Sequence, residues 1–304
     1  MSALAQFIMR GRSQAILVVS AFTVLSWLLS VASLLAAAAL ALPTLRLGIK
    51  EGLFIGACSL PIVALAGYGV MGGAVEAVGF ALVIWAPTVL VAQVLRDSGR
   101  LSVALMSTVG IGMTVVTGFY LMMEDPAAFW RNQFGVILQP MLEAQMSASG
   151  EGAVGLTLDL FARYATGAVS AGSTLSVLAS LLIARWWQAG LYNPGGFRKE
   201  FLALRLSKLV SSAFLILVAL TAVLAGEAGI FLANFELPAL MGFMLAGFAI
   251  LHSICGVYPS GRFWLMGIYL ALMFMTPLIL VIALLGVSDA WLDWRKRFSG
   301  SKAY

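Results

Sequence analysis

Charge is what this chain has least of: Asp, Glu, Lys and Arg together make up 10% of its 304 residues, and histidine occurs once. A hydrolase built on Ser, His and Asp has little to draw on here, because the chain offers a single histidine, His252. The Gly-rich GKS or GKT phosphate loop is missing, so the chain brings no ATPase of that kind. Neither HExxH nor a Cys/His cluster is present to hold zinc. Cysteine is scarce as well. Cys58 and Cys255 both fall in apolar runs, where a free thiol behaves as a small hydrophobe, and nothing argues for a disulfide between them. These absences predict a protein that is not an enzyme and that holds no metal or cofactor.

What fills the chain is hydrocarbon. Apolar residues make up 62%, against about 45–50% in soluble domains, and the mean hydropathy is +1.01. Apolar runs recur at Gln14 to Leu42, Gly52 to Gly67, Gly72 to Leu95, Leu101 to Met123, around Thr166 to Ala184, Ser207 to Gly226, Leu237 to Gly256, and Phe263 to Val287. A helix needs about 20 residues to cross roughly 30 Å of hydrocarbon. The expected fold is therefore all-α, a polytopic transmembrane helix bundle of about eight to ten membrane segments, with residues 1–304 as one integral membrane domain. The run from Gln14 to Leu42 is about twice the roughly 7–15-residue core of a signal peptide, so it reads as a retained anchor.

The net charge of +5 does not point to nucleic acid, because the cations sit in short loops, where they orient a membrane protein. Arg46 with Lys50, Arg96 with Arg100, and the loop from Arg185 to Lys208 read as cytoplasmic. Glu124, Asp125, Glu143, Glu151 and Asp159 put the long middle connection outside, and Glu227 with Glu236 mark another external turn. Keeping Arg10 and Arg12 inside requires the first run to be two short helices meeting near Trp27 to Ser33. At the other end, a single crossing puts Arg295 to Lys302 outside. A hairpin broken at Pro277 brings them inside, leaving only Arg131 and Arg163 out. The charge rule favours the hairpin and length disfavours it, so the side of the C-terminus stays open.

Between about residues 126 and 152 the external connection is too polar to span. Trp130, Phe134, Ile137 and Met141 recur at helical spacing, with Arg131, Asn132 and Gln133 facing water and Pro140 kinking the segment. It reads either as a surface-lying connector or as a lid. Gly48, Gly52 and Gly56 form a small-xxx-small stripe that either packs the bundle or docks a partner subunit. Charge at membrane depth needs a partner or a role. Glu76, the i,i+4 pair Asp159 and Arg163, Asn234 and Glu236 all fall near the outer surface, where they either line an outward polar pocket or sit solvated at the headgroups. His252 and Cys255 share a face but do not make a metal site, and an interhelical hydrogen bond is expected for the histidine.

The basic loop ends a crossing with Arg185 and two tryptophans, breaks at Asn193-Pro194-Gly195-Gly196, and restarts over Phe197 to Lys208 as an amphipathic helix on the inner leaflet. Arg185, Phe197, Arg198, Lys199, Arg205 and Lys208 make it a candidate docking surface for cytoplasmic components. Three motifs carry a resemblance: Arg46-Leu47-Gly48 with Gly52, then Pro194, Phe197-Arg198 and Leu204-Arg205, then Gly286, Asp289 and Asp293-Trp294-Arg295. Together they resemble the YybS-like family of bacterial polytopic membrane proteins, a family with no established activity. That family is distantly similar to the substrate-binding subunits of energy-coupling-factor vitamin transporters and to cell-shape proteins of the MreD type. The resemblance implies a multi-pass protein of the bacterial inner membrane. Two functions compete: a small-molecule-binding or transport subunit without its own ATPase, and a non-transporting scaffold of the cell envelope. Expected partners are the lipid bilayer, an unknown small solute and another membrane or cytoplasmic subunit, with no nucleic acid.

Overall fold

The computed structural model describes residues 2–135 and 151–299. Every regular element among them is a helix. In chain order they are α1 (Ser2–Ile8), α2 (Arg12–Leu25), α3 (Ala32–Leu47), α4 (Ile49–Met71), α5 (Ala74–Ser98) and α6 (Leu101–Met122). A short α7 follows over 126–135. Then come α8 (Glu151–Tyr192), α9 (Gly196–Leu202), α10 (Lys208–Val223), α11 (Gly226–Cys255), α12 (Gly261–Phe274), α13 (Leu278–Leu292) and α14 (Trp294–Ser299). Five stretches are long and apolar enough to cross a membrane: Ile49–Val70, Ala74–Ser98, Leu101–Met122, Leu158–Tyr192 and Gly226–Cys255. Five shorter apolar helices, α2, α3, α10, α12 and α13, pack around them. The chain is a helical membrane protein.

Two helices organise the packing, and composition says why. α3 is almost pure alanine and leucine, and Ala36 to Leu42 are buried on all sides. With methyl groups instead of long side chains, α2, α4, α5 and α8 can all approach its backbone, so dispersion supplies the association that lipid cannot. α11 plays the same part in the C-terminal half, packing against α6, α8, α10 and α13. A Cβ at Gly247 would strike the Ile282 carbonyl, and one at Gly286 the Phe243 carbonyl, so α11 and α13 touch backbone to backbone. α8 contacts both α3 and α11 and joins the two halves. Some buried hydroxyls close on their own helices, as Thr44 and Ser59 do by donating to Leu40 O and Ile55 O, while Ser170 of α8 donates across to Gly112 O of α6.

The first apolar run is two helices, α2 and α3, separated at residues 26–31, as the charge parity requires. Arg12 at the start of α2 pairs with Glu51 at the start of α4 (Nε–Oε1 2.7 Å), so those two helices rise from one end. At that end Arg96 and Gln188 both donate to Leu45 O, and Arg46 lies 4.3 Å over the Tyr192 ring. The last run is likewise divided, ending α12 at Phe274 and restarting α13 after Pro277. Both of its extremes are tied to the basic end: Gly261 sits on the Cys255 backbone, and Arg295 donates to Leu204 O. Of the described cations, only Arg131 and Arg163 lie at the opposite end. Lys302 is outside the described residues.

Two local expectations change. The helix expected over Phe197 to Lys208 stops at Leu202, and residues 203–207 are not helical. Ser207 then accepts from Val210 N–H and caps α10. An apolar-polar period was legible, but α9 closes at Ala203 and the Ser207 cap begins a separate helix. Second, Asp159 pairs with Arg131 (2.7 Å) rather than with Arg163. In the external connection, Trp130 donates to Thr166 and stacks between Phe119 and Phe134, which seats α7 on α6 and α8. Ile137, Pro140, Met141 and Glu143 lie outside the described residues.

Candidate functional site

The predicted outer residues do not converge on one pocket among the described residues. Asn234 is fully buried and saturated: its Oδ1 accepts the Gly167 N–H (2.6 Å), and its Nδ2 donates to Arg163 O (2.8 Å) and Ile230 O (2.9 Å). Gly167 N and Arg163 O are the two groups of one turn of α8, so the asparagine amide bridges that turn as a peptide would. Gly167 is required because the Asn234 backbone occupies the place of a Cβ. Arg163 contributes its carbonyl here. Glu236 accepts from Thr221 (3.2 Å), fastening α11 to α10. Glu76 folds against Gly73 at the start of α5, in another part of the molecule. None of the four described cavities draws its lining from these five residues.

The glycine stripe faces its own chain. Gly52 lies against Thr44, Gly56 against Leu40, and Gly48 makes the turn between α3 and α4 at φ 105°. The basic loop is also drawn into the body. Arg185 forms a forked pair with Glu200, its Nε 2.9 Å from Oε2, which holds α9 against the end of α8. Phe197 stacks on Phe201, and Phe201 meets the His252 ring edge-on. Arg205 reaches the C-terminal segment, donating to Asp289 O (2.7 Å) and lying 3.4 Å from Asp293. Lys199 lies on α9, and Lys208 opens α10.

At this basic end α8, α9, α11 and α12 border an open cavity of about 700 Å³, with Arg198 and Arg262 exposed at its wall. Two cations, Arg198 and Arg262, line it with the rings of Phe201, His252, Tyr258 and Tyr269. Neither arginine has an ion-pair partner among the described residues. His252 Nδ1 lies 2.9 Å from Phe248 O, which can only accept, so that nitrogen carries the proton and Nε2 faces the Tyr269 hydroxyl at 3.3 Å. The expected interhelical hydrogen bond of the histidine is thus present. A wall of aromatic faces with two unpaired guanidinium groups suits a small planar anion, held by stacking and charge-assisted hydrogen bonds. Arg262, Tyr258 and Tyr269 had no sequence signal, because only the fold returns α12 to α9. No cluster of three His, Cys, Asp or Glu side chains suited to a metal ion occurs among the described residues.

Compared with protein-family models, curated proteins and solved structures, the chain has no match.

Proposed function

We propose that this is a small-molecule-binding or transport subunit of a bacterial inner membrane, without an ATPase of its own and without catalysis. The cavity between α8, α9, α11 and α12 is the observation that carries the reading, because its size and its two unpaired arginines fit an anionic solute with an aromatic or conjugated plane. The basic end faces the cytoplasm in this reading, following the rule that cytoplasmic segments collect Lys and Arg. A coupling subunit would supply the energy. The resemblance to the YybS-like family belongs to the same proposal, and through proteins of the MreD type it is shared with the scaffold reading. The test is a thermal-shift screen of the purified full chain against anionic aromatic compounds, with Arg198→Gln/Arg262→Gln as the comparison. Stabilisation of the wild type that the double variant lacks supports binding, and equal shifts in both proteins contradict it.

The competing reading, an envelope scaffold, is favoured by one observation. Asn234 and Asp159 are each fastened to neighbouring residues, as interface residues without a solute would be.

A further inference from the structure

A second cavity, of about 980 Å³, opens on the other side of the basic end, between α6, α10 and the end of α13. Arg100, Arg205 and Lys208 line it, against the single acid Asp293. Asp293 is already engaged by Lys296 (3.0 Å) and Arg205. Arg100 and Lys208 have no ion-pair partner among the described residues, so positive charge is left over at this cavity. Two helices of 22 and 16 residues, α6 and α10, begin at its rim and add their N-terminal dipoles to the same sign. Serine hydroxyls from Ser107 and Ser207 supply neutral hydrogen-bond groups.

The rest of the wall is hydrocarbon. Val103 and Met106 of α6 and Trp291 of α13 line the same cavity, and both Val103 and Trp291 are exposed. A free aqueous anion has no use for that surface, whereas a lipid places its phosphate and its acyl chains side by side at this depth. Basic recesses between membrane helices on the cytoplasmic side are suited to anionic headgroups. We infer that this cavity is a binding site for an anionic phospholipid, with the headgroup phosphate between Arg100 and Lys208 and an acyl chain along Val103 and Met106. It is separate from the solute cavity and stands or falls without it.

The experiment is native mass spectrometry of the full chain in detergent, titrated with phosphatidylglycerol or with phosphatidylcholine, with inorganic phosphate as competitor. Phosphatidylglycerol should bind saturably, and Arg100→Gln/Lys208→Gln should weaken it about tenfold or more. The charge-keeping pair Arg100→Lys/Lys208→Arg should retain binding, and Arg10→Gln/Lys50→Gln, at the same end but outside the cavity, should leave it unchanged. A thermal midpoint without added lipid verifies that each variant is folded. Equal binding of phosphatidylcholine, or equal losses in the two glutamine pairs, would overturn the site as ordinary annular lipid. Displacement of the lipid by inorganic phosphate would overturn the lipid as ligand and leave the phosphate group alone as the thing recognised.

Discussion

Asn234 is a polar residue with no freedom left. Its amide satisfies an N–H and a carbonyl of α8 and a carbonyl of its own helix, all within a buried contact. Replacing it with leucine keeps the branched shape but removes the amide from Gly167 N and Arg163 O. A buried group left unsatisfied costs about 1–3 kcal/mol, and membrane interiors give values toward the low end. Asn234→Leu is therefore expected to lower stability by about 1–3 kcal/mol, read as a reduced denaturation midpoint in mild detergent. An unchanged midpoint would show that Gly167 N–H closes on Arg163 O or that water replaces the amide. Sequence spacing had marked Asn234 as polar at membrane depth, which was legible. Its partners lie 67 and 71 positions away, and no local period points to them. The same holds for Asp159, whose position suggested Arg163 one turn along while Arg131 on another helix takes the pair.

At the level of elements, the joint between α13, α14 and the segment before α10 is the one most exposed to test. Asp289, only 3% exposed at its side chain, receives Arg295 Nη1 at 2.6 Å and the Trp294 N–H. Removing one partner of a buried pair costs about 3–5 kcal/mol. Asp289→Asn should release α14, seen as faster hydrogen exchange across residues 294–299. Unchanged exchange there would mean that Arg205 and Leu204 O suffice to hold it. The joint also has a pH signature. Lys296 first, and then Arg205, hold the Asp293 carboxyl below its usual range. A depressed carboxylate contributes fully above its unfolded value of about 4, and its contribution is lost only as pH falls through the lower folded-state value. Protection of residues 294–299, taken relative to the intrinsic amide exchange rate at each pH, should therefore stay flat down to about pH 4 and fall below it. Helix breaks were legible where proline or charge parity marked them, as at Pro277 and in the run after Gln14. The fresh start at Lys208 was not, since Ser207 is one serine among many until a helix is seen to start on it.

Across the whole molecule the described cations other than Arg131 and Arg163 sort to one end. Arg12, Arg46, Arg96, Arg185, Arg205 and Arg295 are joined there by ion pairs, carbonyl contacts and a ring contact. The sequence alone left the C-terminal side open, because length and charge disagreed. A divided last run removes the conflict, as neither α12 nor α13 needs to cross the bilayer in one piece. Cysteines introduced at Ser98 and at Phe298 should thus be labelled from the same side by a membrane-impermeant maleimide in oriented vesicles. Opposite labelling would contradict the shared end. The proposed solute site is the least legible part: the outer polar residues pointed to one surface, while the cavity lined by Arg198 and Arg262 lies at the other.

The most direct test is to purify the full chain from native membranes, extract the bound small molecules, and compare the wild type with Arg198→Gln/Arg262→Gln by mass spectrometry. A small anionic compound that accompanies the wild type and is missing from the double variant is the predicted result. Identical extracts from the two proteins would contradict a solute site between α8, α9, α11 and α12.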